Sequence, residues 1–185
     1  FLYYVMPFVE GESLRDRLVR VRELPIYEAT RLLRDVADAL SHAHARGVVH
    51  RDIKPENVML SGRHALVTDF GVAKAVSEAK GSANLTTAGV ALGTPSYMSP
   101  EQAAADPNVD HRADIYALGA MGYELLAGRP PFVGTTPQQL LAMHVTQEPD
   151  ALSRYRPGLP AALEAVIMRC LVKRAADRWQ NADEI

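Results

Sequence analysis

Between Pro25 and Gly47 the apolar residues Ile26, Ala29, Leu32, Leu33, Val36, Leu40 and Ala43 recur at three- and four-residue steps. That spacing predicts an amphipathic helix with Pro25 at its start and Gly47 as its stop. Just upstream, Ser13 followed by Asp16 has the form of a capping box and predicts a short helix over SLRDRLVRV. The opening FLYYVMPFV, rich in aromatic and β-branched residues, predicts a strand that ends in a turn at Glu10-Gly11-Glu12.

From residue 48 to 75 the pattern changes. VVH, VML, ALVTDF and VAK are too short for helices and predict small strands around loops. Residues 74 to 100 are mostly small and polar, which predicts a long loop of the kind that is functional or mobile. Helical patterns return over roughly 113 to 127, 137 to 146 and 160 to 172. The sum is a mainly α chain with a few short strands, an α+β architecture presenting polar loops at one end.

Composition narrows this little. The 185 residues are 48% hydrophobic and 23% charged, enough for one domain with a core. A net charge of −2 gives no reason to expect nucleic acid or an anionic membrane as partner. The one cysteine, Cys170, excludes an internal disulfide and sits in an apolar helical stretch, so it is read as core; a reducing, cytoplasmic setting fits. No secretory leader is visible in FLYYVMPFVEG, and the longest apolar run, residues 115 to 128, is too short to cross a bilayer and contains Glu124. His42 and His44 lie two apart on a helix and do not share a face. Gly119 and Gly122 inside a helical run suggest close packing, and the charges of LRDRLVRVRE suggest a solvated face.

The chemistry is concentrated in two stretches. HRDIKPENVML, residues 50 to 60, holds Asp52, Lys54 and Asn57, and Thr68-Asp69-Phe70-Gly71 follows. Together they would give one site two carboxylates, an ammonium and an amide, groups suited to moving a phosphoryl group. His50 to Asn57 resembles the catalytic loop of eukaryotic-type protein kinases, and Asp69-Phe70-Gly71 resembles their metal-binding triplet. Gly93-Thr94-Pro95-Ser96-Tyr97-Met98-Ser99-Pro100-Glu101 is similar to the end of their activation segment, with Ser99 where many members have Ala. Asp114 to Gly119 is similar to the start of their central buried helix, and Arg178 to the arginine that pairs with Glu101. The style is that of bacterial Ser/Thr kinases.

The resemblance implies roles. Asp52 would orient the substrate hydroxyl, Lys54 would face the γ-phosphate, and Asn57 and Asp69 would hold Mg²⁺ with ATP. Met6 would be the gatekeeper, Pro7 and Val9 the adenine hinge, and Met59 the adenine floor. Ser13 would face the ribose, although capping also explains it. Thr94 would touch the catalytic aspartate, which with Lys54 implies Ser/Thr substrates. Arg51 would sense phosphate on the activation loop, with Thr86 and Thr87 as phosphosites and Ser82 as a further candidate. His50, Phe70, Glu101, Asp114 and Arg178 would be structural. Self-phosphorylation is implied alongside protein substrates.

The same resemblance defines what the 185 residues lack. No G-x-G-x-x-G and no V-A-I-K occurs in them. The expectation is therefore a kinase C-terminal lobe, with residues 1–10 as hinge strand and linker and 11–185 as a large helical lobe truncated at its C-terminus. The small N-terminal lobe is expected to be absent and the isolated chain nearly inactive, any membrane anchor lying outside this segment. The alternative is a stand-alone, non-catalytic scaffold module.

Overall fold

A computed structural model describes residues 9–70 and 95–185. Strand β1 is Glu12–Ser13, and helix α1 (Leu14–Val21) follows at once. The expected capping box is present: Ser13 Oγ accepts from the Asp16 N–H at 3.1 Å, and the Asp16 carboxylate accepts from the Ser13 N–H at 3.3 Å. Two donors that the helix start would leave orphaned are thereby satisfied.

Helix α2 (Ile26–His44) buries Ala29, Leu32, Leu33, Val36, Ala37 and Leu40, the apolar stripe of the sequence. It ends before Gly47, which has φ +72°. Strands β2 (Val58–Ser61) and β3 (His64–Val67) form a hairpin, and β1 adds to it antiparallel in the order β1-β2-β3. Glu12 faces Leu60 and Ser13 faces Met59, while Val58 faces Val67. Gly11 makes the approach of β1 to β2 feasible: at φ +145° a Cβ there would stand 2.0 Å from the Leu60 carbonyl oxygen.

VVH, expected as a strand, is irregular instead. Its amides are spent elsewhere, the Val48 N–H on the Ala43 carbonyl and the His50 N–H on Asp114 Oδ2, so no ladder can use them. The start of the opening strand, residues 1–8, and VAK lie outside the described residues.

After the short α3 (Pro100–Ala103), helix α4 (Arg112–Ala127) runs through the centre, buried from Ala113 to Leu126 on every face. A helix apolar all round belongs in a core. Helices α5 (Pro137–Thr146) and α6 (Ala161–Cys170) complete the order, close to the expected limits. α4 packs against α2 on one side and α6 on the other. The two glycines permit the second contact, since a Cβ on Gly119 would lie 2.4 Å from Cys170 Cβ and one on Gly122 2.7 Å from Ile167 Cδ1. Among the described residues no helix is long and apolar enough to cross a membrane.

Candidate active site

The loop from His50 to Asn57 is held from below by one buried carboxylate. Asp114, 1% exposed in the first turn of α4, accepts from the His50 N–H and the Arg51 N–H at 2.8 and 2.7 Å, and pairs with His44 Nε2 at 2.8 Å. Arg51 sits at φ +69°, a left-handed backbone that costs a non-glycine residue about 1 kcal/mol or more. Two charge-assisted bonds to Asp114 offset that cost and set the loop's path. Buried Ile53, Pro55 and Val58 anchor the rest.

His50, fully buried, joins the two sequence clusters. Its Nε2 lies 2.7 Å from the Thr68 carbonyl, its Nδ1 is 3.2 Å from the Asp52 N–H, and its ring meets Phe70 edge-on at 4.8 Å. A neutral ring protonated on Nε2 satisfies both bonds at once. The Thr68 N–H donates to the Asn57 carbonyl at 2.9 Å, a second tie between the clusters. Asp69 follows at φ +63°, so both motifs carry a left-handed residue beside their chemistry.

On this frame Lys54 Nζ lies 2.7 Å from Asp52 Oδ2. Asn57 Nδ2 donates to the Asp52 carbonyl at 2.8 Å and to Asp52 Oδ2 at 3.1 Å. One carboxylate oxygen is thus fixed by an ammonium and an amide. Asp52 remains half-exposed, its side chain at 44%, so the carboxylate is open to an incoming group. The Asn57 amide nitrogen is committed to Asp52, leaving its oxygen as the acceptor, a donor type that hard divalent cations take.

The neighbouring segment is fastened by ion pairs. Arg178, fully buried, donates to both oxygens of Glu101 at 2.7 Å and to the carbonyls of Arg112, Val172 and Lys173. Burial alone would raise the Glu101 carboxyl, but the Arg178 hydrogen bonds and charge outweigh it and hold it below its usual range. Gln102, next along, donates to the Arg51 carbonyl at 2.8 Å and so ties α3 to the catalytic-type loop. Arg51 lines a cavity of about 40 Å³ with Tyr97 and Met98, and its buried Nε has no partner among the described residues.

Arg15 corrects the sequence reading. Expected on a solvated face, it reaches inward from α1 to Glu56 and Glu124, each at 2.8 Å, and donates to the Tyr97 hydroxyl, which donates in turn to Glu124. The physical reason is Glu124: a carboxylate within the buried α4 needs a partner, and its place in an apolar run was the signal. Burial and the Glu124 charge push the Tyr97 phenol well above its ordinary value.

Other expected positions fare differently. Ser13 spends its hydroxyl on Asp16 at 2.7 Å, so capping explains it. Met59 is half-buried on β2, opposite Ser13, and Val9 is half-buried at the start of the described chain. Met6, Pro7, Ser82, Thr86, Thr87 and Thr94 lie outside the described residues.

A family model for the protein kinase domain matches residues 1–185. The serine/threonine-protein kinase PknB of Mycobacterium leprae (strain TN) is 39% identical over 184 residues, covering 99% of this chain and 29% of that protein. PknB of Mycobacterium tuberculosis (strain ATCC 25618 / H37Rv) is 40% identical with the same coverage. The serine/threonine-protein kinase pkn2 of Myxococcus xanthus is 42% identical over 187 residues, covering 98% of this chain and 22% of that protein. The chain therefore belongs to the protein kinase domain family, alongside bacterial Ser/Thr kinases. It spans less than a third of the length of these curated relatives.

Proposed function

We propose that this chain is the large, helix-rich lobe of a Ser/Thr protein kinase and that, within a protein that also supplies the small lobe, it serves to move the γ-phosphoryl group of ATP to Ser or Thr hydroxyls of proteins. The observation that supports this most is the hydrogen-bonded set Asp52, Lys54 and Asn57, tied to Asp69 through Thr68. Phosphoryl transfer asks for positioning and charge neutralisation, and these residues offer both. Asp52, with one oxygen fixed by Lys54 and Asn57, uses the other to orient the hydroxyl and take its proton. Lys54 brings positive charge to the transferring group. Asn57 and Asp69 are the oxygen donors that would hold Mg²⁺. Bound Mg·ATP supplies the phosphoryl group and neutralises its charge.

Pro7, Val9 and Met59 would contact adenine beside the Met6 gatekeeper, and Thr94 would select Ser/Thr by touching Asp52. Arg51, whose Nε has no partner among the described residues, would receive a phosphate placed on Thr86 or Thr87. The 185 residues contain no G-x-G-x-x-G loop and no V-A-I-K lysine, so efficient turnover is assigned to a protein that supplies both.

The test is labelled phosphate transfer from Mg·ATP to a generic Ser/Thr substrate, by the 185-residue chain and by the chain joined to a kinase small lobe carrying those two elements. Transfer is expected from the joined protein, falling roughly 10²–10⁴-fold in Asp52→Asn, with little from the chain alone. Transfer that survives Asp52→Asn would sink the role given to Asp52.

A further inference from the structure

On the face carrying the β2–β3 turn, a cavity of about 160 Å³ opens between α1, α2 and that turn. Its ionisable lining is Arg17 from α1, Arg31 from α2, Arg63 and His64 from the hairpin, and Glu12 and Glu28. The turn is the far end of the hairpin from Asn57 and Thr68. A strand of four residues separates them, roughly 13 Å, so the cavity is distinct from the candidate active site.

The charges here do not balance. Glu12 gives both oxygens to Arg20, at 2.8 Å each, and stands 3.7 Å from Arg17. Arg17 reaches Glu28 at 3.3 Å. Asp35 stands 3.9 Å from His64 Nδ1 and accepts from the Ala65 N–H. Arg31 and Arg63 make no ion pair or hydrogen bond among the described residues. Four guanidinium groups, the lining Arg17, Arg31 and Arg63 with Arg20 beside them, thus stand against three carboxylates, Glu12, Glu28 and Asp35, a surplus of one positive charge. Arg17 Nε and Arg31 Nη1 are moreover shut off from solvent with no acceptor among the described residues. Buried donors almost always have a partner, so two in one cavity mark a missing one.

We infer that this cavity is a binding site for a phosphate group, free or carried as a monoester. Guanidinium forks match oxyanions, and arginines arriving from three separate elements suit a tetrahedral group better than a planar carboxylate. A phosphate group carries about −1.5 to −2 charges, opposite in sign to the local surplus. The volume equals roughly five waters' share of the liquid, room for the group and its ester carbon. Entry of the anion turns the Arg17 and Arg31 side chains toward it and gives the stranded donors acceptors. The ligand is either free phosphate or a phosphorylated Ser/Thr side chain of a protein, and the site does not rest on the proposed phosphoryl transfer.

The experiment is calorimetric titration of the 185-residue chain at constant ionic strength with inorganic phosphate, a phosphoserine pentapeptide and its unphosphorylated twin. Lys54→Met removes the competing anion site of the nucleotide end. Saturable binding is expected to persist in Lys54→Met and to weaken at least ~10-fold in Arg31→Gln/Arg63→Gln. Should the double variant fail to fold, the exposed-turn change Arg63→Gln alone is expected to weaken binding ~3-fold or more. Tighter binding of the phosphopeptide assigns the site to a phosphoprotein, and equal or weaker binding assigns it to free phosphate. No saturable binding of either, binding unchanged in the arginine variants, or binding lost in Lys54→Met would overturn the inference.

Discussion

Asp114 shows how much one side chain can set. Its carboxylate accepts two loop amides and pairs with His44, all below 3 Å. Asp114→Asn keeps the shape but offers one acceptor oxygen and turns an NH₂ toward a backbone donor. A loss of about 2–4 kcal/mol in urea-unfolding stability is expected, together with loss of phosphoryl transfer in the joined protein as Arg51 and Asp52 shift. Arg178 is the second such residue. Arg178→Met leaves Glu101 half-buried and unpaired, at a cost of about 3–5 kcal/mol, whereas Glu101→Gln/Arg178→Met should cost clearly less than the two single changes added. A double-mutant cycle in urea checks this; strict additivity would mean that the pair does not act as a unit. These residues were legible in the sequence because Asp52, Asp114 and Arg178 stand in recognisable strings. Arg15 was not, since nothing in LRDRLVRVRE says which arginine turns inward. Only the burial of Glu124, a property of tertiary packing 109 residues away, decides it.

At the scale of elements, periodicity carried α2, α4, α5 and α6 to within a few residues because each buries a stripe or a whole surface. The short pieces were less legible. VML became β2, while VVH, with much the same composition, did not, because Asp114 and the end of α2 claim its amides. The α4–α6 contact rests on Gly119 and Gly122, and the two differ in what lies opposite. A methyl at Gly119 meets Cys170 Cβ, which moves only with its backbone, whereas at Gly122 it meets the free ends of Ile167 and, from α2, of Leu33. Gly119→Ala is therefore expected to cost about 2–3 kcal/mol by thermal unfolding, after a helix-propensity gain of up to about 1 kcal/mol. Gly122→Ala should cost less, as the ends of Ile167 and Leu33 rotate away. The reverse order would mean that α6 shifts freely against α4, which the packing does not suggest.

Across the whole molecule, buried titratable groups set how stability varies with pH. His144, fully buried in the last turn of α5, bonds the Tyr116 hydroxyl at 2.9 Å and meets Phe132 edge-on at 4.9 Å. Burial, then the Lys173 ammonium, lowers its pKa to about 4. The unfolded chain protonates this histidine near pH 6.5, but the folded chain does not until about 4. Between those values the unfolded state binds more protons, so stability falls as pH falls, by about 3 kcal/mol at most. Glu101 acts lower down: its folded pKa is depressed, so the stability it contributes is present above about 4.3 and fades as pH drops through the folded value. On the alkaline side, burial raises Cys170 to about 12, which costs stability once the unfolded thiol ionises near pH 9. Lys173, lowered to about 8 chiefly by burial, gains stability over an overlapping window and opposes that loss. Urea-unfolding free energies measured from pH 4 to 9 should accordingly rise until about pH 6.5, close to the chain's pI of about 6.3, and then change less steeply. His144→Gln, neutral in both states, should flatten the slope between pH 4 and 6.5 while leaving the loss below it. A slope unchanged in that variant would assign the acid sensitivity to the carboxylates alone.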